Sequence, residues 1–103
     1  MVRLLQRWEV TYGHFADFVN SVEAVNAINR ERGWAEFTPW TPASGKANEV
    51  VLISDYADFA TFKNEEASAY AYAEFMKAWR QGAQYVVQGS GTFEVLEPAP
   101  HLA

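Results

Sequence analysis

Four side chains in this sequence have the types and placement to do chemistry. His14 stands at the predicted start of a helix, just after Tyr12-Gly13. An imidazole titrates near neutral pH and can serve there as a general base; the plainer alternative is an exposed helix-start residue. Tyr56 ends the apolar run from Val50 and offers its phenol either to a phenolic ligand or to the packing at a strand end. Arg7 and Glu9 share one face of a predicted strand, and Trp8 and Val10 share the other, because side chains alternate along a strand. The apolar face must meet the helices, so Arg7 and Glu9 turn to the open side or to a dimer seam. Buried there without partners they would be costly and hence functional; paired, they form a cross-strand or intersubunit ion pair. His14, Tyr56, Arg7 and Glu9 are the candidate catalytic residues.

The candidate ligand-binding residues are aromatic: Tyr12, Trp34, Trp40 and Tyr85. Trp34 and Trp40 read equally as pocket walls or as ordinary packing, and Tyr85 fits pocket, interface or surface. The stripe Tyr72, Phe75, Met76 and Trp79 has helical spacing and reads as core.

Composition narrows the chemistry. The sequence has no cysteine, so disulfides, thiolate metal sites and cysteine nucleophiles are excluded. His14 and His101 are too far apart to form a metal motif, and His101, in the tail, reads as passive. The net charge is -5, with 8 scattered basic residues against 13 acidic ones. Such a chain is repelled by phosphate backbones and anionic lipid, so neither a nucleic acid nor a membrane is expected as partner. No leader-like apolar segment stands at the start and no apolar run approaches a membrane span, so a cytoplasmic location is expected.

These residues must be positioned by a small number of elements. Arg3 to Thr11 reads as a strand, His14 to Arg32 as a helix closed by Gly33, and Trp34 to Thr41 as a second strand. Pro39 places that strand at an edge or a bulge. Val50 to Tyr56 reads as a central strand, and Asp58 as the N-cap of a long helix, or of two helices broken near Ser68. Gly89 to Leu96 is the last strand. Residues 1–97 form one domain, and 98–103, with Pro98 and Pro100, a tail. The order βαββαβ implies an α+β ferredoxin-like fold: a four-stranded antiparallel sheet with two helices on one face. The other face is bare and aromatic-rich, and a second copy is its simplest cover. A homodimer follows.

Several stretches resemble a known superfamily. Tyr12-Gly13-His14-Phe15-Ala16-Asp17-Phe18 and Val51-Leu52-Ile53-Ser54-Asp55-Tyr56-Ala57-Asp58-Phe59 resemble the dimeric α/β-barrel proteins. Trp40 to Asn48 running into Val50-Val51-Leu52, and Val87-Gln88-Gly89-Ser90, are similar to its NIPSNAP-like branch. The resemblance implies a homodimer of two sheets, with a cavity between sheet and helices or at the sheet face. It implies a range of activities: cofactor-free monooxygenases of aromatic polyketides, polyketide cyclases, haem-degrading enzymes, dye peroxidases, muconolactone isomerases and binding proteins. Haem-degrading members carry a haem-ligating His in the second helix, and residues 58–82 contain none. The cofactor-free monooxygenases pair an Asn on the third strand with a Trp at the second helix; here Leu52 and Tyr56 stand near those places.

Two functions are therefore expected. One is a small enzyme acting without a cofactor on an aromatic or polyketide-like metabolite, as a monooxygenase or cyclase. The other is a non-catalytic ligand-binding or accessory homodimer. In this order the first and third strands are expected to be adjacent and parallel, so that Tyr12, His14 and Tyr56 meet at one end of the sheet in one cleft, with Trp40, on a second strand antiparallel to the first, as a further wall.

Overall fold

A computed structural model describes residues 1–99; residues 100–103 of the predicted tail, His101 among them, lie outside the described residues. The elements are β1 (Val2–Glu9), α1 (Phe15–Arg32), β2 (Thr38–Trp40), β3 (Glu49–Tyr56), α2 (Phe59–Tyr70), α3 (Ala73–Ala83) and β4 (Thr92–Leu96). The strands form one sheet in the order β2-β3-β1-β4, and each neighbouring pair is antiparallel. The fold is the ferredoxin-like α+β arrangement, with the helices on one face.

The register decides what meets what. Val2 pairs with Tyr56 and Glu9 with Glu49, so β1 and β3 are antiparallel, not parallel as the sequence suggested. Because β3 lies between β2 and β1 and opposes both, β2 runs parallel to β1, which corrects the second expected direction. Directly paired residues share a face. Val2, Leu4, Gln6, Trp8 and Val10 thus line up with Tyr56, Ser54, Leu52 and Val50 on the helix side, and most are buried. Arg3, Leu5, Arg7 and Glu9 line up with Asp55, Ile53, Val51 and Glu49 on the open side.

The helix layer follows from a 3.6-residue stripe. Phe18, Val22, Val25, Asn26 and Asn29 form the buried side of α1, which packs on α3. Gly33 closes α1 in the left-handed region at φ 73°, where a Cβ is strained. Asp58 caps α2 by accepting from the Thr61 backbone N–H at 2.7 Å. The long C-terminal helix is two, broken at Ala71–Tyr72 rather than near Ser68.

The second strand is shorter than expected. Only Thr38–Trp40 joins the sheet, at the edge, as Pro39 requires. Residues 34–37 do not join it, because side chains occupy their backbone groups. Asn26 takes the Phe37 N–H on Oδ1 and gives Nδ2 to the Phe37 carbonyl, both at 2.7 Å. Asn29 Nδ2 donates to the Ala35 carbonyl at 2.9 Å, and the Ala35 N–H donates to Glu65 at 2.7 Å. Both backbone groups of Ala35 and Phe37 are thereby satisfied without a ladder.

Candidate functional site

That clamped segment is one wall of a cleft between the sheet and the α2–α3 pair. Trp34, Phe37, Phe75, Trp79 and Phe93 supply the aromatic walls, and Gln6, Asn29, Tyr56 and Glu65 the polar groups. The cavity is about 40 Å³, room for water or for part of a small molecule. Phe93 reaches it from the helix side of β4, opposite Gln6, and is itself half exposed.

The polar groups come from four elements, β1, α1, β3 and α2. Gln6 and Ser54 are both 3 % exposed and sit on the helix face of β1 and β3. The Trp8 indole N–H donates to Gln6 Oε1 at 3.1 Å. Ser54 Oγ donates to the Tyr56 hydroxyl at 3.2 Å. Burial pushes the Tyr56 phenol above its ordinary pKa; the Ser54 hydrogen bond opposes this, and the Glu65, Glu66 and Tyr70 charges add to it. Tyr56 is therefore a neutral phenol at physiological pH. Asn29 is also 3 % exposed, and its Oδ1 is the one fully buried side-chain oxygen or nitrogen among the described residues without a hydrogen-bond partner. Such atoms are few in native interiors.

A second cavity, also about 40 Å³, lies on the far side of Phe37 and Trp79, which border both. Trp8, Phe18, Val22 and Leu52 make it almost wholly apolar. Trp8 is held there edge-on to Trp79 and to Phe93, at 6.3 and 5.8 Å between ring centroids. Gly91 abuts the same indole: a Cβ at that position would fall 2.4 Å from the ring.

The predicted site residues fall into three places. Tyr56 and Trp34 share the cleft. Tyr12, His14 and Tyr85 gather at the opposite end of the sheet. There the Thr11 N–H donates to the Tyr85 carbonyl at 2.8 Å and the His14 and Tyr85 rings stack at 5.4 Å. His14 pairs with Asp17 at 3.0 Å through Nδ1, in the open, and Tyr12 is exposed. Tyr56 pairs with Val2, while His14 lies past Glu9, so the level of Tyr56 and the far end of β1 are roughly 24 Å apart at the usual rise per residue. The single cleft expected from His14 and Tyr56 does not form, because the strands are antiparallel. Arg7, Glu9 and Trp40 lie on the open face. Arg7 is paired with Glu94 at 2.7 Å, Glu9 with Lys46, and Trp40 sits opposite Val51, more than half exposed. Trp40 is therefore not a wall of the Tyr56 cleft.

Gln6, Asn29, Ser54 and Glu65 were missed. The signal was present for Asn29: it and Asn26 continue the apolar stripe of α1, and an amide in that position must bond to something.

No protein-family profile matches the sequence, and no curated protein is similar to it. The fold has clear counterparts among solved structures. An uncharacterized NIPSNAP domain protein from Burkholderia xenovorans superposes with a TM-score of 0.79 at 19% identity, covering 97% of this chain and 96% of that one. A NIPSNAP family protein from Agrobacterium tumefaciens gives 0.76 at 11% identity, with 96% and 93% covered. An antibiotic biosynthesis monooxygenase gives 0.72 at 11% identity, with 97% and 100% covered. This chain thus shares with these proteins the ferredoxin-like α+β fold described above.

Proposed function

We propose that two copies of this chain form a homodimer whose cleft takes an aromatic, polyketide-like small molecule, and that the protein acts on it as a cofactor-independent monooxygenase or cyclase. The observation that carries the ligand is Asn29, which lines an aromatic-walled cleft and whose buried Oδ1 has no hydrogen-bond partner. A hydrogen-bonding group from a bound molecule would complete it. The similarity in fold to an antibiotic biosynthesis monooxygenase supports the reaction class. In this reading Tyr56 orients the substrate through its O–H and the aromatic walls exclude water.

A second reading, a binding or accessory homodimer without turnover, is favoured by one feature. The carboxylates at the cleft are already engaged, Glu65 by the Ala35 N–H and Glu66 by Lys63 at 2.6 Å, and His14 lies elsewhere. Oxygen uptake and product analysis with hydroxyaryl ketones separate the two: turnover that Tyr56→Phe slows supports the enzyme, and binding without turnover supports the accessory protein. The reading needs no bound cofactor, and a Soret band titrating to one haem per chain would overturn it.

The dimer is supported by the open face. Leu5, Val51, Ile53, Trp40 and Leu96 form its apolar part, edged by the Arg3–Asp55 and Arg7–Glu94 pairs. A lasting interface there buries about 2,000 Å² or more in total. Sedimentation at micromolar concentration is expected to give twice the 11.6 kDa chain mass, and Ile53→Asp to halve it. A wild-type monomer under those conditions contradicts the dimer.

A further inference from the structure

We infer that the cleft selects an uncharged ligand that presents a hydrogen-bond acceptor to Tyr56 and Gln6 and a donor to Asn29, and that it rejects a carboxylate of the same shape. The inference rests on the cleft being a ligand site, as proposed above.

The unspent hydrogen-bonding capacity sets the pattern. Ser54 donates to the Tyr56 oxygen at 3.2 Å, which leaves the phenol's own proton free to donate. The Trp8 indole occupies Gln6 Oε1 at 3.1 Å and so fixes which end of the amide is oxygen. The Gln6 amide nitrogen makes no hydrogen bond among the described residues, and Gln6 lines the cleft. Asn29 supplies the opposite function: its Nδ2 is committed to Ala35 and its Oδ1 can only accept. Two donors and one acceptor therefore await a molecule with a carbonyl-type group and a hydroxyl or N–H.

Charge sets the rest. No Lys or Arg lines the cleft, whereas Glu65 and Glu66 do. Lys63 offsets Glu66 at 2.6 Å, but Glu65 is held only by a neutral backbone N–H and pairs with no cation among the described residues. A carboxylate ligand would lose its water among aromatic rings, beside an acid and without a cation. Burying an unpaired charge is costly, while a neutral carbonyl satisfied by donors is not. Hydroxyaryl ketones have the required pattern.

Calorimetric or NMR titration of the full chain at neutral pH tests this with three ring compounds of one size. Para-hydroxyacetophenone carries both groups, acetophenone lacks the donor, and para-hydroxybenzoate replaces the ketone with a carboxylate. Para-hydroxyacetophenone is expected to bind at least ~10-fold more tightly than the benzoate and several-fold more tightly than acetophenone. Tyr56→Phe is expected to weaken both ketones, and Asn29→Leu to abolish the preference for the hydroxyl. Because the wild-type series needs no variant, a variant that fails to fold leaves the test intact. Benzoate binding as tightly as the hydroxyketone overturns the selectivity and leaves the ligand site standing. Failure of all three to bind overturns the ligand site itself.

Discussion

Asn29 donates from Nδ2 to the Ala35 carbonyl at 2.9 Å, and that one bond leaves its Oδ1 buried without a partner. A flipped amide would set oxygen against oxygen, so the orientation is fixed by Ala35. Asn26, one turn earlier, is different: it holds both backbone groups of Phe37 at 2.7 Å and leaves none of its own unmet.

These two amides should respond unequally to removal. Asn29→Leu frees one carbonyl but also deletes an orphan acceptor, so the loss in urea unfolding should be no more than about 1 kcal/mol. Asn26→Leu leaves a buried N–H and a buried C=O unpaired and should cost about 2–4 kcal/mol. Equal losses would mean that Asn29 Oδ1 is not an orphan in solution.

Gly91 leaves no room for a side chain beside the aromatic cluster. Gly91→Ala would force the Trp8 ring, 2.4 Å from the new Cβ, away from its place against Trp79 and Phe93. The expected loss is about 1–3 kcal/mol, as for other overpacked interiors, with a shift in tryptophan fluorescence. Unfolding and fluorescence identical to wild type would contradict the packing described here.

Asp58 links stability to pH. Accepting from the Thr61 backbone N–H, and then from the Thr61 hydroxyl, holds its carboxyl below the usual carboxylate range. A depressed value means that the folded state favours the ionised form. The stabilisation is present above the unfolded carboxylate pKa, near about 3.9, and disappears as pH falls through the folded value. Asn is an equally good cap without a charge, so Asp58→Asn should flatten the acid side of a Tm-against-pH curve and leave Tm near neutral pH little changed. An unaltered acid slope would show that the cap carries no pH dependence.

Much of this architecture is legible in the residues themselves. The stripe from Phe18 through Val25, the Gly33 stop, the Asp58 cap and the edge position demanded by Pro39 all follow from local rules and recur in the structure. Trp34 and Tyr56 reach the cleft as candidates from sequence. What failed was non-local. The strand directions were misassigned, so His14 and Tyr56 were brought together although pairing of Tyr56 with Val2 holds them at opposite ends. The segment from Trp34 to Phe37 alternates like a strand, but Asn26 and Asn29 of α1 and Glu65 of α2 satisfy its backbone instead of a neighbouring strand. Gln6 was overlooked because a polar residue on an apolar strand face has meaning only once its surroundings are known. Arg7 and Glu9 were drawn as site residues for their charge, and their partners, Glu94 and Lys46, lie far along the chain.

The tryptophans make the central claim directly measurable. Trp34 and Trp79 line the cleft, whereas Trp40 faces the other way, opposite Val51 on the open side of the sheet. In a two-dimensional NMR spectrum of the labelled full chain, titration with para-hydroxyacetophenone should move the indole N–H signals of Trp34 and Trp79 along one saturable curve and leave Trp40 in place. Movement of Trp40 alone, with Trp34 and Trp79 unchanged up to the solubility of the ketone, would contradict ligand binding between the sheet and its helices.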